Sequence, residues 1–234
     1  MASSKKPIVI AVLDTGFGFN NEGHVAHLCK YGHKDFTKDR QLTKDYGTVD
    51  AVPHDNQGHG TNIVGLIQQF AKSEVGYCFV IIKYYSQFQS DHENQVSSVL
   101  AFKKAYEMKV NIINYSGGGP NQNQQERKWI GKFLTRGGVL FAAAGNDHLD
   151  LDVVGNEFYP AMYYNKVIAV GNKSADGQIS KSSNYGNAVK WWEVGERQTA
   201  FGVTMSGTSQ ATAVATGKRV SEMLTEKTHG KFRN

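Results

Sequence analysis

No apolar run in this sequence is long enough to cross a bilayer. A spanning helix takes about 20 residues, whereas the apolar stretches at 8–13 and 139–144 are stopped by Asp14 and Gly145. A membrane-spanning role is excluded. Lys5 and Lys6 are followed by too short an apolar stretch for the core of a secretion signal, so a cytoplasmic location is expected. Cysteine is scarce. Cys29 and Cys78 are the only two, which rules out a disulfide framework and fits a reducing compartment, with a single bridge left open. The four prolines form no linker, and no repeat or low-complexity tract divides the chain, so one domain over 1–234 is expected. Neither sign of charge dominates: 26 basic and 21 acidic residues leave +5. The basic residues are scattered apart from Lys231-Phe232-Arg233, so the stripe and reading element needed for nucleic acid are missing.

What is present is 40% apolar residues, enough for a packed core, in a regular order. Residues 8–13 form a short branched apolar run that reads as a buried strand, and Asp14-Thr15-Gly16 reads as the turn after it. Ile63, Leu66, Ile67 and Phe70 follow helical spacing, and 77–82 is again an apolar run. Helical patterns around 96–100 and 122–135 each precede an apolar run, at 110–114 and 138–144. A strand at 167–170 and a helix at 208–224 complete the series. Alternating strands and helices, with strands apolar throughout, predict an α/β fold: a mostly parallel sheet with helices on both faces. Glycines at 116–119 fall at a strand end, where such sheets place their ligand crevice.

Four stretches carry chemistry: Asp14-Thr15-Gly16, Gly58-His59-Gly60-Thr61, Ala144-Gly145-Asn146 and Gly207-Thr208-Ser209-Gln210-Ala211. Taken singly, each has a structural reading, as a turn aspartate, a helix-start histidine or an N-cap serine. Together they offer a carboxylate, an imidazole, an amide donor and a hydroxyl. A serine attacks a carbonyl only when a base takes its proton, and an imidazole base needs a carboxylate to fix its tautomer. The chain order Asp, His, Ser is that of subtilisin, and differs from those of the α/β-hydrolases and of chymotrypsin. Through these motifs, and through 113–120, Tyr159-Pro160-Ala161 and 167–171, the sequence resembles the subtilisin-like serine proteases over nearly its whole length.

The resemblance implies a subtilisin-like three-layer sandwich and a serine endopeptidase. Asp14 would orient His59, His59 would act as base and then acid, and Ser209 would attack. Asn146 and the Ser209 N–H would form the oxyanion hole. Ser116, Gly117 and Gly118 would pair with the backbone of a polypeptide substrate, and Ala144, Gly145 and Phe158 would line the pocket beside the cut bond. Phe158 replaces a common glycine, which implies a filled pocket and a preference for small side chains. A compact form with no recognisable propeptide is expected, acting as a monomer and needing no cofactor for the chemistry. Structural calcium on Asp147, Asp150 and Asp152 is the one metal expectation. His24, His27, Cys29 and His33 have zinc-ligand chemistry but no zinc-module spacing. The sequence also departs from the family: Gln210 replaces a methionine, Asn62 a histidine, and 189–195, with Trp191 and Trp192, an Ala-Pro-Gly stretch. Other readings of the same residues are a catalytically silent peptide-binding module and an esterase.

Overall fold

The computed structural model describes residues 6–21, 26–44 and 46–229. The strands in chain order are β1 (Ile8–Asp14), β2 (Lys34–Asp35), β3 (Leu42–Thr43), β4 (Val52–Pro53), β5 (Tyr77–Lys83) and β6 (Ile112–Tyr115). They continue as β7 (Val139–Ala143), β8 (Ile168–Lys173), β9 (Val189–Val194), β10 (Gln198–Ala200) and β11 (Val203–Met205). The α-helices are α1 (His59–Ala71), α2 (Asp91–Glu107), α3 (Gln124–Thr135) and α4 (Thr208–His229). Seven strands form one sheet in the spatial order β2-β5-β1-β6-β7-β8-β9, and every pairing in it is parallel.

The unbroken apolar character of β1 follows from burial on both sides. Ile8, Ile10 and Val12 join one core cluster, with Ile63, Leu66 and Ile67 of α1 and Ala211, Ala215 and Val220 of α4. Ala11 and Leu13 point the other way, into a cluster with Phe102 and Ala105 of α2 and Ile130 and Phe133 of α3. Successive strand side chains alternate between faces, so one run feeds two cores, and burying each large aliphatic residue contributes about 1.5 to 3 kcal/mol. The outcome is the expected three layers.

The short strands and β9 carry too little apolar pattern to be read from sequence. β9 lies at the sheet edge, half-exposed along most of its length. Cys29 and Cys78 are joined in a disulfide across 49 residues of chain, tying the segment before β2 to β5. In the chain-entropy description such a closure is worth about 4 kcal/mol. No cysteine is free among the described residues, so the pair gives no support to a reducing compartment.

Candidate active site

Asp14 ends β1 at the carboxyl edge of the sheet and is 4% exposed. Its Oδ1 accepts from the Thr15 N–H at 2.8 Å and from His59 Nδ1 at 2.7 Å. A carboxylate only accepts, so the Nδ1 facing it carries the proton, and Nε2 of the neutral ring is the free acceptor. Burial opposes protonation of His59, but the Asp14 charge, its hydrogen bond and the Asp55 charge outweigh that, and the imidazole pKa is raised.

His59 is the first residue of α1, after Gly58, whose φ of 83° is left-handed and suits glycine. Gly58 offers no side-chain cap, and Asp55 serves instead. This fully buried carboxylate accepts from the N–H groups of Gln57, Gly58 and Thr61 and from the hydroxyls of Thr15 and Thr61, all at 2.7 to 2.9 Å. Thr15 Oγ1 in turn accepts from the Gly60 N–H. One acid thus fastens the loop after β1 to the start of α1 and fixes the imidazole beside Asp14. The sequence reading missed Asp55. An acid just ahead of a helix start is a capping signal that would have found it.

Ser209 lies in the first turn of α4. Its hydroxyl donates to the Ser116 carbonyl at 2.7 Å, and the Ser116 hydroxyl donates back to the Ser209 carbonyl at 2.9 Å. Among the described residues no hydrogen bond joins Ser209 to His59. Thr216 of α4 donates to Asn114, which donates to Ser116, so the helix is stitched to the end of β6. Asn146 presents Oδ1 to Thr208, accepting from its N–H at 2.9 Å and its hydroxyl at 3.1 Å. The backbone donor identifies the facing atom as oxygen, which leaves the Nδ2 amide as the donating end.

Asp14, His59, Ser116, Gly117, Gly118 and Met205 line a cleft of about 360 Å³. Phe158 lies between two of the singled-out glycines. A Cβ on Gly118 would fall 2.3 Å from its ring, and one on Gly145 would fall 3.0 Å from it. The ring therefore occupies the space between those two backbones, and the glycines are what admit it. Ala144 is fully buried, with its N–H given to Val170 and its carbonyl bonded by Asn184; it holds the loop in place.

Two departures from the family pattern meet. Gln210 Nε2 donates to Asn62 Oδ1 at 3.2 Å, and Asn62 Nδ2 donates to the Val203 carbonyl at 2.8 Å. Both side chains are buried, and they join the helices that carry His59 and Ser209.

Of the three acids named for calcium, two are bonded within the protein. Asp150 accepts from the Asp152 N–H, and the Asp152 carboxylate is taken up by Asn187. Among the described residues no three His, Cys, Asp or Glu side chains are placed to hold an ion. Cys29 is in the disulfide, His33 bonds the backbone of Cys29 and Ile81, and His24 lies outside the described residues.

An all-parallel α/β sheet presenting Asp, His and Ser, in that chain order, at one edge has the architecture of a subtilisin-type serine hydrolase. A sequence profile of the subtilase family matches residues 5–220. The chain belongs to the subtilase family. It is 31% identical over 226 residues to an intracellular serine protease of Paenibacillus polymyxa, covering 90% of this chain and 64% of that one. It is 29% identical to the major intracellular serine protease of Bacillus subtilis, covering 82% of this chain and 59% of the other. The chain thus spans less than two thirds of the length of these two relatives. The fold also matches a cold-adapted subtilisin-like serine proteinase (TM-score 0.71, 24% identity, 94% of this chain and 76% of that one). A second match is the nisin leader peptidase of Lactococcus lactis (TM-score 0.72, 18% identity, 95% and 79%).

Proposed function

We propose that the chain is a serine endopeptidase acting through an acyl-enzyme. The observation that carries this reading is the 2.7 Å hydrogen bond from His59 Nδ1 to the buried Asp14, which leaves Nε2 as a base at the cleft. In the first step the Ser209 hydroxyl turns from the Ser116 carbonyl, passes its proton to Nε2, and its Oγ bonds to the scissile carbonyl carbon. The turn gives up one hydrogen bond, about 1 kcal/mol, and rotamer changes are fast. Negative charge moves to the carbonyl oxygen, where Asn146 Nδ2 and the Ser209 N–H would receive it. The carbon–nitrogen bond then breaks as His59 returns the proton to the leaving amine, and water repeats the sequence to release the acid.

We infer a monomer that needs no cofactor for the chemistry, since Asp14, His59, Asn146 and Ser209 all come from one chain. An intracellular setting rests on the names of two relatives; the Cys29–Cys78 bridge is unusual for such a setting. Treating the chain with a fluorophosphonate and weighing it intact tests the reading. One covalent adduct, mapped to Ser209, is expected, together with cleavage of peptides inside their sequence; no adduct and no cleavage would refute it.

The raised His59 pKa has a direct consequence. Below its pKa the imidazole is protonated and cannot accept the serine proton, so kcat/KM should fall toward acid with a midpoint above the ordinary value of 6.5. A pH–rate profile checks this, and full activity persisting below pH 5 would exclude His59 as the base.

Phe158 bears on specificity. Its ring fills the gap between Gly118 and Gly145, and forcing further volume into filled space costs about 1 to 3 kcal/mol. Peptide-library profiling should therefore favour Ala, Ser or Gly beside the cut bond. Phe158→Gly should raise cleavage after large residues about tenfold. A wild-type preference for large aromatic side chains at that position would contradict the filled pocket.

A further inference from the structure

The buried amides that join α1 to α4 reach a third element. β10 and β11 form a hairpin whose register, with Gln198 opposite Met205, is set by a turn at Phe201 and Gly202, both left-handed in φ. The hairpin lies along α1. Asn62 Nδ2 donates to the Gln198 carbonyl at 3.2 Å and to the Val203 carbonyl at 2.8 Å. A Cβ on Gly65 would fall 2.6 Å from the Ala200 side chain, and Gln69 Nε2 donates to the Thr199 carbonyl at 3.2 Å. Positions 62, 65 and 69 share one face of the helix.

Asn62 is set apart from the other two by what lies on its far side. Two backbone carbonyls can be met only by N–H groups, so Nδ2 faces the hairpin and Oδ1 faces α4. There it accepts from Nε2 of Gln210, the residue after Ser209. Asn62 is fully buried and Gln210 is 1% exposed, so neither amide can exchange its partner for water. One side chain, on the helix that His59 begins, thus holds the helix of the nucleophile and both strands of the hairpin. β11 ends at Met205, which lines the cleft, and the chain runs on through Gly207 into Ser209. The remaining contact between the helices is apolar, through Ile63, Leu66 and Ile67 against Ala211 and Ala215. Apolar contact is non-directional and permits sliding, whereas a hydrogen bond fixes distance and angle.

We propose that Asn62, acting through Gln210, is a positioning residue for catalysis: it sets the spacing of Ser209 from the His59 imidazole by holding α1, α4 and the hairpin in one register. The inference rests on the proteolytic reading and deepens it. Neither side chain lines the cleft, so both act on the reaction only through the backbone they hold.

The test compares the parent with Gln210→Met, Asn62→Leu and the double variant. Steady-state cleavage of one peptide and the rate of fluorophosphonate labelling are measured at a temperature where melting curves show each variant folded. In each variant kcat and the labelling rate should fall about 10- to 100-fold, the scale on which a small misplacement of reacting groups costs rate, while KM stays within about twofold. A residue that only stabilised the fold would lower the melting temperature and leave kcat per labelled site unchanged. The double variant should lose no more than Asn62→Leu alone, because the bonds act as one unit. Parental kcat and labelling in the single variants would overturn the positioning role and leave the protease reading standing, as would losses that multiply in the double variant. Gln210→Met, which nearly conserves shape, decides the matter if Asn62→Leu fails to fold. A parent that neither cleaves nor labels would refute the protease reading, and this inference with it.

Discussion

Ser209→Ala is expected to keep its fold and to lose hydrolysis by about 10⁶ in kcat, the magnitude that removal of the serine costs in subtilisin. The substitution deletes the attacking atom and one hydrogen bond, that from the hydroxyl to the Ser116 carbonyl. The reciprocal bond from Ser116 to the Ser209 backbone survives, so the loss in stability should be only about 1 kcal/mol. Thermal melting paired with a discontinuous peptide assay separates the two effects. The fluorophosphonate adduct should vanish as well. Near-parental turnover with the adduct retained would place the nucleophile elsewhere.

Asn146→Leu should lower kcat by about 10² to 10³, the scale of losing one oxyanion donor, with KM nearly constant. The geometry adds a complication that can be measured. Asn146 Oδ1 also accepts from Thr208 at the start of α4, so leucine removes an acceptor from a buried N–H and should cost about 1 to 3 kcal/mol of stability. Asn146→Asp keeps the acceptor and removes the donor; it should melt closer to the parent and still lose turnover. Unchanged kcat with a raised KM in both variants would make Asn146 a ground-state contact.

The parts of this molecule that were legible in the sequence are those in which a local pattern and a tertiary demand coincide. β1 is apolar at every position before Asp14 because both of its faces are buried, and the run announces itself. Asp14, His59 and Ser209 sit where strands end and helices begin, so turn and helix-start signals marked their places before any geometry was known. Asp55 carried the signal of an acid ahead of a helix start, but it stands three residues before the N-cap Gly58, so its hold on the N–H groups of Gln57, Gly58 and Thr61 shows only once the loop is folded. Asn62 and Gln210 stood out as separate departures, but their contact depends on α1 and α4 packing together, a long-range fact. The Cys29–Cys78 pairing was open for the same reason: two cysteines permit a bridge, and only the closeness of β5 to the segment before β2 makes it.

The stitching of α4 to the end of β6 has a consequence for how the molecule comes into being. Asp14 and His59 meet across only 45 residues of chain, whereas Ser209 finds Ser116 across 93. Contacts between distant parts of a chain carry the larger loop-closure cost and form late, and an all-parallel sheet consists largely of such contacts. On this ordering the acid and base are assembled while the nucleophile is still absent, and reactivity arrives with the docking of the last helix. On the proteolytic reading, a half-folded chain would be a substrate before it is an enzyme, and the hazard during folding would fall on chains still incomplete when finished neighbours are active.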